Sequence, residues 1–553
     1  MAARTRWRRA LAVALSAVVL AAAACGDDDD TSATPSEGTD GAGAATTGDG
    51  GTAPSEGTTR PVDTAGEDTV PAGTPTRGGI LRYATVSEPT TFDPHRGASG
   101  GDHVSLYPIF DRLLASDPET LEPEPFLATS FEFTDPLTLR MTLQEGVTFH
   151  DGTPFDAEAV VYNVERAKHL EDSSIKSDVA SIESVEAVGE HEVVMHLSEP
   201  DSSLLGVFAD RAGMMVSPAA AENEDFGQHP VGTGPHRFVR WAPGDSWTYE
   251  RNEDYWQEGL PYLDGLEFTV QADINTRING LRSGQYDFID GVSPGRAAEL
   301  EEDDDIVVSV DPTILHHMVW WNTGRGPLAD VRVRRAINVA IDREAIWQGI
   351  MEGTGEIAWM PVPSQHWAYA EDLVPTFDHD PEAARALLEE AGYGDGFTLT
   401  MTSTATDTSV RMAEAMQAQL AEIGITLEIT PEQTVDSVQR YFEAKQVDAY
   451  NSSMTARPDP SITFETMFSA SSFYNTAQTS PEGFEELLAA ASRAQTQEER
   501  KEAFRALSAA AVEHALWIPL VFPPSITAYS KDVAGFVPSL MAKPDFLSVY
   551  RAS

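Results

Sequence analysis

Apolar and polar residues alternate from Leu137 to Leu143, with Leu137, Leu139, Met141 and Leu143 separated by Thr138, Arg140 and Thr142. A period of two predicts a half-buried strand. Glu145-Gly146 marks a turn, Val147 and Phe149 resume the alternation, and Asp151-Gly152 marks a second turn. The period then changes. Asp156 stands where an N-cap is needed, and Val160, Val161 and Val164 fall on one helical face. The stretch Leu137–Arg166 is therefore predicted as strand, turn, strand, turn and helix.

The same reading extends along the chain. Gly78–Ala84 predicts a first strand, and Ser105–Leu114 a helix with Leu106, Ile109, Phe110 and Leu113 on one face. Ser181–Leu197 predicts two strands. Leu266, Phe268 and Val270 alternate, Ile274, Ile278 and Leu281 follow at helical spacing up to Gly284, and Tyr286–Ile289 reads as a strand. A strand, helix and strand over so few residues imply a parallel crossover. Asp330 is placed to cap a helix carrying Val333, Ala336, Ile337, Ala340 and Ile341. Asp380-Pro381-Glu382 starts another, with Ala384, Leu387, Leu388 and Ala391 as its stripe and Gly392 as its stop. A strand (Phe397, Leu399, Met401), a helix (Ala413, Met416, Leu420, Ile423) and a strand (Ile425, Leu427, Ile429) come next. Phe484–Ala491 and Glu499–His514 read as helices and Trp517–Val521 as a short buried strand. The methionines sit at helical spacing among Leu and Ile, which is core and not a redox or copper site. Strands alternating with helices specify an α/β fold, and 553 residues exceed one ordinary core, so two or three domains are expected.

Both ends of the composition matter. Arg4, Arg6, Arg8 and Arg9 precede the apolar run Ala10–Ala24, which is shorter than the ~20 residues a membrane span needs. Small residues then lead to Cys25, the single cysteine, so no intramolecular disulfide can form. A basic segment, a short apolar segment and small residues before a Cys read as a lipoprotein signal over residues 1–25, with Cys25 as the lipid-bearing residue; Ala22 stands where a larger aliphatic residue is usual. The Sec and twin-arginine routes both stay open. Residues 26–77 are Asp, Gly, Thr, Ser, Ala, Pro and Glu with almost no large apolar side chains, a spacer that cannot bury enough surface to fold. Acidic residues outnumber basic ones 88 to 37. Such a surface repels nucleic acid and anionic headgroups, and excludes a nucleic-acid function.

The sequence contains no H-E-x-x-H, C-x-x-C or Walker-type loop. Gly232-Thr233-Gly234 has strand-like flanks and no following Lys, so it is a structural turn and not a phosphate loop. His316 and His317 are adjacent on a predicted strand and point to opposite faces, so they cannot share a metal. No cofactor, metal site or catalytic residue is expected.

Several separated motifs occur in a telling order: GGILRYA and EPTTFDPH near residue 80, GVTFHDGTPF at 146–155, VGTGPHRFVRWAPGDSWTYERNEDYW from Val231, RRAINVAIDREAI from Arg334, DPEAARALLEEAGY from Asp380, LAEIGI from Leu420, and MTARPDPSITF at 454–464. Together they resemble the bacterial extracellular solute-binding proteins of family 5, the peptide- and nickel-type receptors of ABC importers. His236 stands where that family commonly has Tyr. The resemblance implies a two-lobed periplasmic-binding-protein-like fold, type II, in its large three-domain variant. Lobe I would take 78–121, 231–320 and 520–553, a small extra domain 122–230, and lobe II 321–519. It implies a monomeric receptor outside the membrane that closes on a small solute or peptide and presents it to an ABC permease and its ATPase.

Site residues follow from position in that pattern. Trp320, Trp321 and Asn322 lie at the implied crossing into the second lobe, with one Trp expected to face the cleft and the other a core. Trp359 and Trp367 occupy an irregular Pro-rich segment, where each either covers a core edge or lines a pocket. In peptide-binding branches an Asp four residues before the second Pro of MTARPDPSITF takes the peptide amine; here that position is Ala456, and Arg457 follows. An Arg in a cleft favours a carboxylate or phosphate. The alternative is that Arg457 points into solvent or pairs with Asp459, the other residue of this segment placed at the site. Peptides, metal chelates, opines and oligosaccharides all stay open as ligands. Two rival readings are an exported enzyme on the same scaffold and a lipoprotein that binds a protein partner.

Overall fold

The computed structural model describes residues 75–97 and 99–552; the expectations for Cys25 and for residues 26–74 lie outside them. The predicted unit around residue 140 forms largely as read. Thr138–Leu143 is a strand that buries Leu139, Met141 and Leu143, and Ala157–His169 is a helix whose Asp156 side chain accepts the Ala159 N–H. Val147 and Phe149 are buried, but they do not sit in a strand. Only a Thr148–Pro154 bridge forms, because the chain folds back at once: Phe149 N–H bonds the Thr153 carbonyl at 2.8 Å and His150 N–H that of Gly232 at 2.8 Å.

Three sheets organise the chain. Seven strands run in the order Ile306–Asp311, Ser525–Ser530, Phe288–Ile289, Ile80–Thr85, Gly265–Val270, Ser246–Arg251, His236–Ala242. Gly265–Val270 and Phe288–Ile289 flank Ile80–Thr85 and are both parallel to it. Helix Ile274–Arg282, capped by Asp273, joins them as the predicted crossover. Six strands form the second sheet: Glu356–Ile357, Ile518–Phe522, Leu315–Trp321, Ala449–Thr455, Phe397–Thr404, Ile425–Glu432. Its parallel pair Phe397–Thr404 and Ile425–Glu432 is bridged by helix Asp407–Glu422, again as the periodicity predicts. A four-stranded antiparallel sheet, Ala128–Asp135, Thr138–Leu143, Glu192–Leu197, Ile182–Ala187, carries the opening unit.

The chain passes between the two large sheets in short steps. It leaves the seven-stranded sheet after Asp311 and joins the six-stranded one at Leu315, then returns between Phe522 and Ser525. The changes of sheet therefore bracket Leu315–Phe522, a few residues off the lobe boundaries expected at 320/321 and 519/520. Thr313 hydroxyl donates to the Pro523 carbonyl at 2.8 Å and ties the two crossings together.

One predicted helix is largely absent. Over Ser105–Leu114 the helix is only His103–Leu106. Pro108 has no N–H and disfavours helix for the residue before it, so the chain turns. Leu106, Ile109, Phe110 and Leu113 stay buried in this turning path. The carbonyls of Pro108 and Ile109 are taken instead by the N–H groups of His236 and Gly234, both at 2.8 Å. This is why the VGTGPH segment is glycine-rich: a Cβ on Gly232 would lie 2.2 Å from the Ile109 carbonyl oxygen, and one on Gly234 2.5 Å from the Ile109 carbonyl carbon.

Candidate ligand-binding site

Four segments converge beside the crossings. The turning path His103–Arg112 comes from the first lobe. Helix Leu204–Phe208 is followed by a single 3-10 turn, Arg211–Gly213, and delivers Asp210 and Arg211. The C-terminal segment carries Leu540 in the apolar cluster of the second lobe and Phe546 in that of the first, with Lys543 between them. The loop Ala456–Asp459 comes from the second lobe. It lies hard against the others: a Cβ on Gly206 would stand 2.7 Å from the Asp459 Cβ. Further bonds tie the second lobe to the rest of the chain, including Ser202 N–H to the Ser492 carbonyl at 3.0 Å, Trp367 N–H to the Thr120 carbonyl at 3.0 Å, and Lys501 with Glu122 at 2.8 Å.

The charges in this region are unusual for so acidic a chain. Asp210 is buried between His103 Nε2 at 2.5 Å and Lys543 Nζ at 3.8 Å. Burial opposes its ionisation, but His103 and Lys543 hold its carboxyl well below the usual carboxylate range. Burial pushes the His103 ring down, Asp210 opposes that shift, and Lys543 adds to it. Burial lowers the Lys543 ammonium to about 8; Asp210 works against this, while Arg211, Arg457 and Arg112 reinforce it. Arg211 donates to the Ser99 carbonyl at 2.6 Å and lies 3.5 Å from Asp102. Asp178 is half-buried and raised by that burial, with the charge of Arg457 pulling it back. Arg112 lays its guanidinium 4.6 Å from the centre of the Tyr107 ring. Neither the Arg112 nor the Arg457 guanidinium has a hydrogen-bond or ion-pair partner among the described residues. A planar group with five donors and no acceptor, held beside other cations, is suited to a carboxylate.

The residues expected at the site divide. Arg457 points into solvent, one of the alternatives expected for it, and does not pair with Asp459; its charge is felt by Asp178, Asp210 and Lys543. Asp459 is buried and committed elsewhere. It caps helix Pro460–Phe468 through the Ser461 N–H and pairs with the buried Arg500 at 2.5 Å. Trp367 covers that pair, its ring centre 4.8 Å from the Arg500 guanidinium. Trp320 and Trp321 are both buried, on opposite faces of their strand, and each joins an apolar cluster. Trp320 donates to the Ser452 hydroxyl and stacks on Tyr474. Both tryptophans also line a small pocket with Thr323, Met467, Tyr474 and Asn475. Asn322 is buried and accepts the Gly324 N–H, a turn-forming bond. Ala456 is buried, with no charge to offer at the position of the amine-binding Asp.

Tyr107, Arg112, Asp178, Asp210, Arg211 and Lys543 were not singled out from the sequence. They lie up to hundreds of positions apart, and no spacing links them. One signal was legible: Lys543 and Arg211 are cations in stretches otherwise apolar or acidic. A separate cavity of about 380 Å³, lined by Asp93, Tyr162, Glu165, Arg166 and Phe226 among others, lies against helix Ala157–His169 and takes nothing from the second lobe.

The profile of bacterial extracellular solute-binding proteins, family 5 Middle, matches residues 122–475. Among curated proteins, the glutathione-binding protein GsiB of Escherichia coli O1:K1 / APEC is 31% identical over 473 residues, covering 82% of this chain and 91% of its own. Among solved structures, the ABC transporter-associated periplasmic binding protein DppA from Helicobacter pylori, in complex with the peptide STSA, aligns with a TM-score of 0.70 at 26% identity, over 86% of this chain and 99% of its own. HbpA2 from Haemophilus parasuis aligns with a TM-score of 0.78 at 25% identity, over 86% and 100%. The two-lobed fold, the charged region where the lobes meet and these matches lead to one conclusion: the chain belongs to the bacterial extracellular solute-binding proteins of family 5, the substrate-binding components of ABC importers.

Proposed function

We propose that this protein captures a peptide or peptide-like solute between its lobes, at the cluster of Tyr107, Arg112, Asp178, Asp210, Arg211, Arg457 and Lys543, and hands it to an ABC permease. The observation that carries the reading is the pair of guanidiniums without acceptors, Arg112 and Arg457, brought from different lobes to the surroundings of one buried Lys543. A solute bridging them would favour the closed arrangement, because closure completes its contacts. The relatives that bind glutathione and the peptide STSA support a solute of that size.

The lobe and extra-domain division expected from sequence is part of this proposal, with its crossings at 311–315 and 522–525. So are lipid attachment at Cys25, display on the outer face of the cell membrane, and action as a non-catalytic monomer that depends on a partner ATPase. Trp367 and Asp459 then support the Arg457 loop from beneath, and Trp320, Trp321 and Asn322 stiffen the strand beside it.

Native mass spectrometry of a soluble form beginning at Asp68, purified without denaturation from rich medium, tests the reading. A discrete mass excess that is lost on unfolding is expected, and its fragmentation gives the solute. A bare mass, followed by no thermal shift across peptides and other small solutes, would overturn it. A ligand at 100 times its Kd adds ~2.7 kcal/mol of stability, which such a panel detects readily.

A further inference from the structure

Arg500, on helix Gln497–Glu513, is fully buried. Its hydrogen-bond partner is the Asp459 carboxylate, which Nη2 reaches at 2.5 Å. Nε and Nη1 have none among the described residues. The rings of Trp367 and Phe504 cover the guanidinium at 4.8 Å and 5.8 Å. A pair satisfied this thinly is a poor source of stability. Well-packed apolar residues in place of such a pair are often neutral or stabilising, because the cost of drying two charges goes with them. What the pair does supply is direction. Asp459 serves Arg500 through one carboxylate oxygen and the Ser461 N–H, at 3.0 Å, through the other, and only one placement of its backbone allows both.

The residue before it is held as firmly. The Pro458 carbonyl lies 3.3 Å from His366 Nε2, and His366 Nδ1 accepts the Ala368 N–H at 3.1 Å. The neutral ring therefore carries its proton on Nε2 and donates it to Pro458. The backbone N–H of the next residue, Trp367, bonds the Thr120 carbonyl of the first lobe at 3.0 Å. His366 and Trp367 thus grip the loop on one side and the first lobe on the other. The N–H groups of the loop are fixed too, that of Ala456 by the Ile314 carbonyl at the crossing and that of Arg457 by the Thr463 hydroxyl, both at 3.3 Å. On its outer side the loop meets the extra domain at contact distance: a Cβ on Gly206 would lie 2.7 Å from the Asp459 Cβ and 3.1 Å from its backbone nitrogen.

We infer that Arg500 and His366 are positioning residues for the ligand loop Ala456–Asp459: they set the place where the loop meets the extra domain and presents Arg457, and Trp367 ties that place to the first lobe. Both are buried, at 1% and 2% exposure, and act only through Asp459 and Pro458. This rests on the receptor reading above and deepens it, because a loop from one lobe can complete a site on the other only if its backbone is held in register with both.

Amide hydrogen exchange and native mass spectrometry of the full-length chain, purified from rich medium in mild detergent, test this on two variants. Arg500→Met combined with Asp459→Asn removes both charges, leaves no lone ion and keeps an acceptor at the helix N-cap, so it should melt as the parent does. Exchange of the Ala456 and Arg457 amides should nonetheless rise at least ten-fold, with helix Gln497–Glu513 unchanged, and the co-purified solute should be lost from the native mass. His366→Phe keeps a ring and drops the donor. It should give the same local rise, and it decides alone if the double variant does not fold. Loop exchange equal to the parent's, a rise spread evenly over the second lobe, or solute retained in full by a loosened loop overturns the inference and leaves the receptor reading intact. A parent with a bare native mass and no thermal shift overturns the receptor reading, and with it the ligand role of the loop.

Discussion

His316 shows how far a single side chain can be read from its surroundings. It is fully buried, stacked 4.5 Å from the Phe522 ring, and neither ring nitrogen has a hydrogen-bond partner. Burial, with a smaller push from His317, lowers its pKa to about 3. An unfolded histidine titrates near 6.5, so the folded state holds its full advantage above that value and loses it as pH falls from 6.5 toward 3. His316→Phe keeps the stacking and removes the proton acceptor. At pH 7.5 the variant should be close to neutral, since no hydrogen bond is lost. At pH 5 it should gain ~2 kcal/mol relative to the parent. Urea melts at the two pH values check this, and an equal difference at both would be incompatible with a buried neutral ring. Asp459 teaches the opposite lesson. Its motif suggested a ligand contact, yet its carboxylate is taken by Arg500 and by a helix N-terminus.

Elements formed where local signals agreed with the global fold. Asp156, Asp330 and Asp380 all cap the helices they were expected to cap or start. One exception, the segment after His103, is where a proline contradicted an apolar stripe. The stripe correctly marked buried residues but not the conformation that buries them, because a tight path can place Leu106, Ile109, Phe110 and Leu113 inside as well as a helix can. The VGTGPH segment completes that path with hydrogen bonds across the pair. Gly232→Ala would drive a methyl group into the Ile109 carbonyl and should cost ~1–3 kcal/mol. Because Arg112 is carried by the same path, ligand affinity should fall with it. Chemical denaturation and titration of one sample measure both; a stable variant with weakened binding would mean that the path shifts without unfolding.

For the whole molecule, two short crossings at 311–315 and 522–525, tied by Thr313, are the natural places for a hinge. A solute held by residues of both lobes should reduce the radius of gyration in small-angle scattering relative to the ligand-free protein. An unchanged radius at saturating ligand would remove lobe closure from the reading.

Periodicity and capping alone specified the α/β class, most strands and helices, and the parallel crossovers, because these depend on interactions between residues a few positions apart. The motifs added the family and so the two lobes. Arg457 was legible as a candidate because it sits inside one of those motifs. The partners of Arg457 were not. Tyr107, Arg112, Asp210, Arg211 and Lys543 come from three distant segments, and whether a charged side chain is paired or free depends on which chains fold against it. The sequence could state that Trp320 and Trp321 point to opposite faces; that both faces are cores follows only from what packs on the sheet. Local order is written in short-range pattern, whereas a site whose groups are hundreds of residues apart exists only once long-range packing has brought them together.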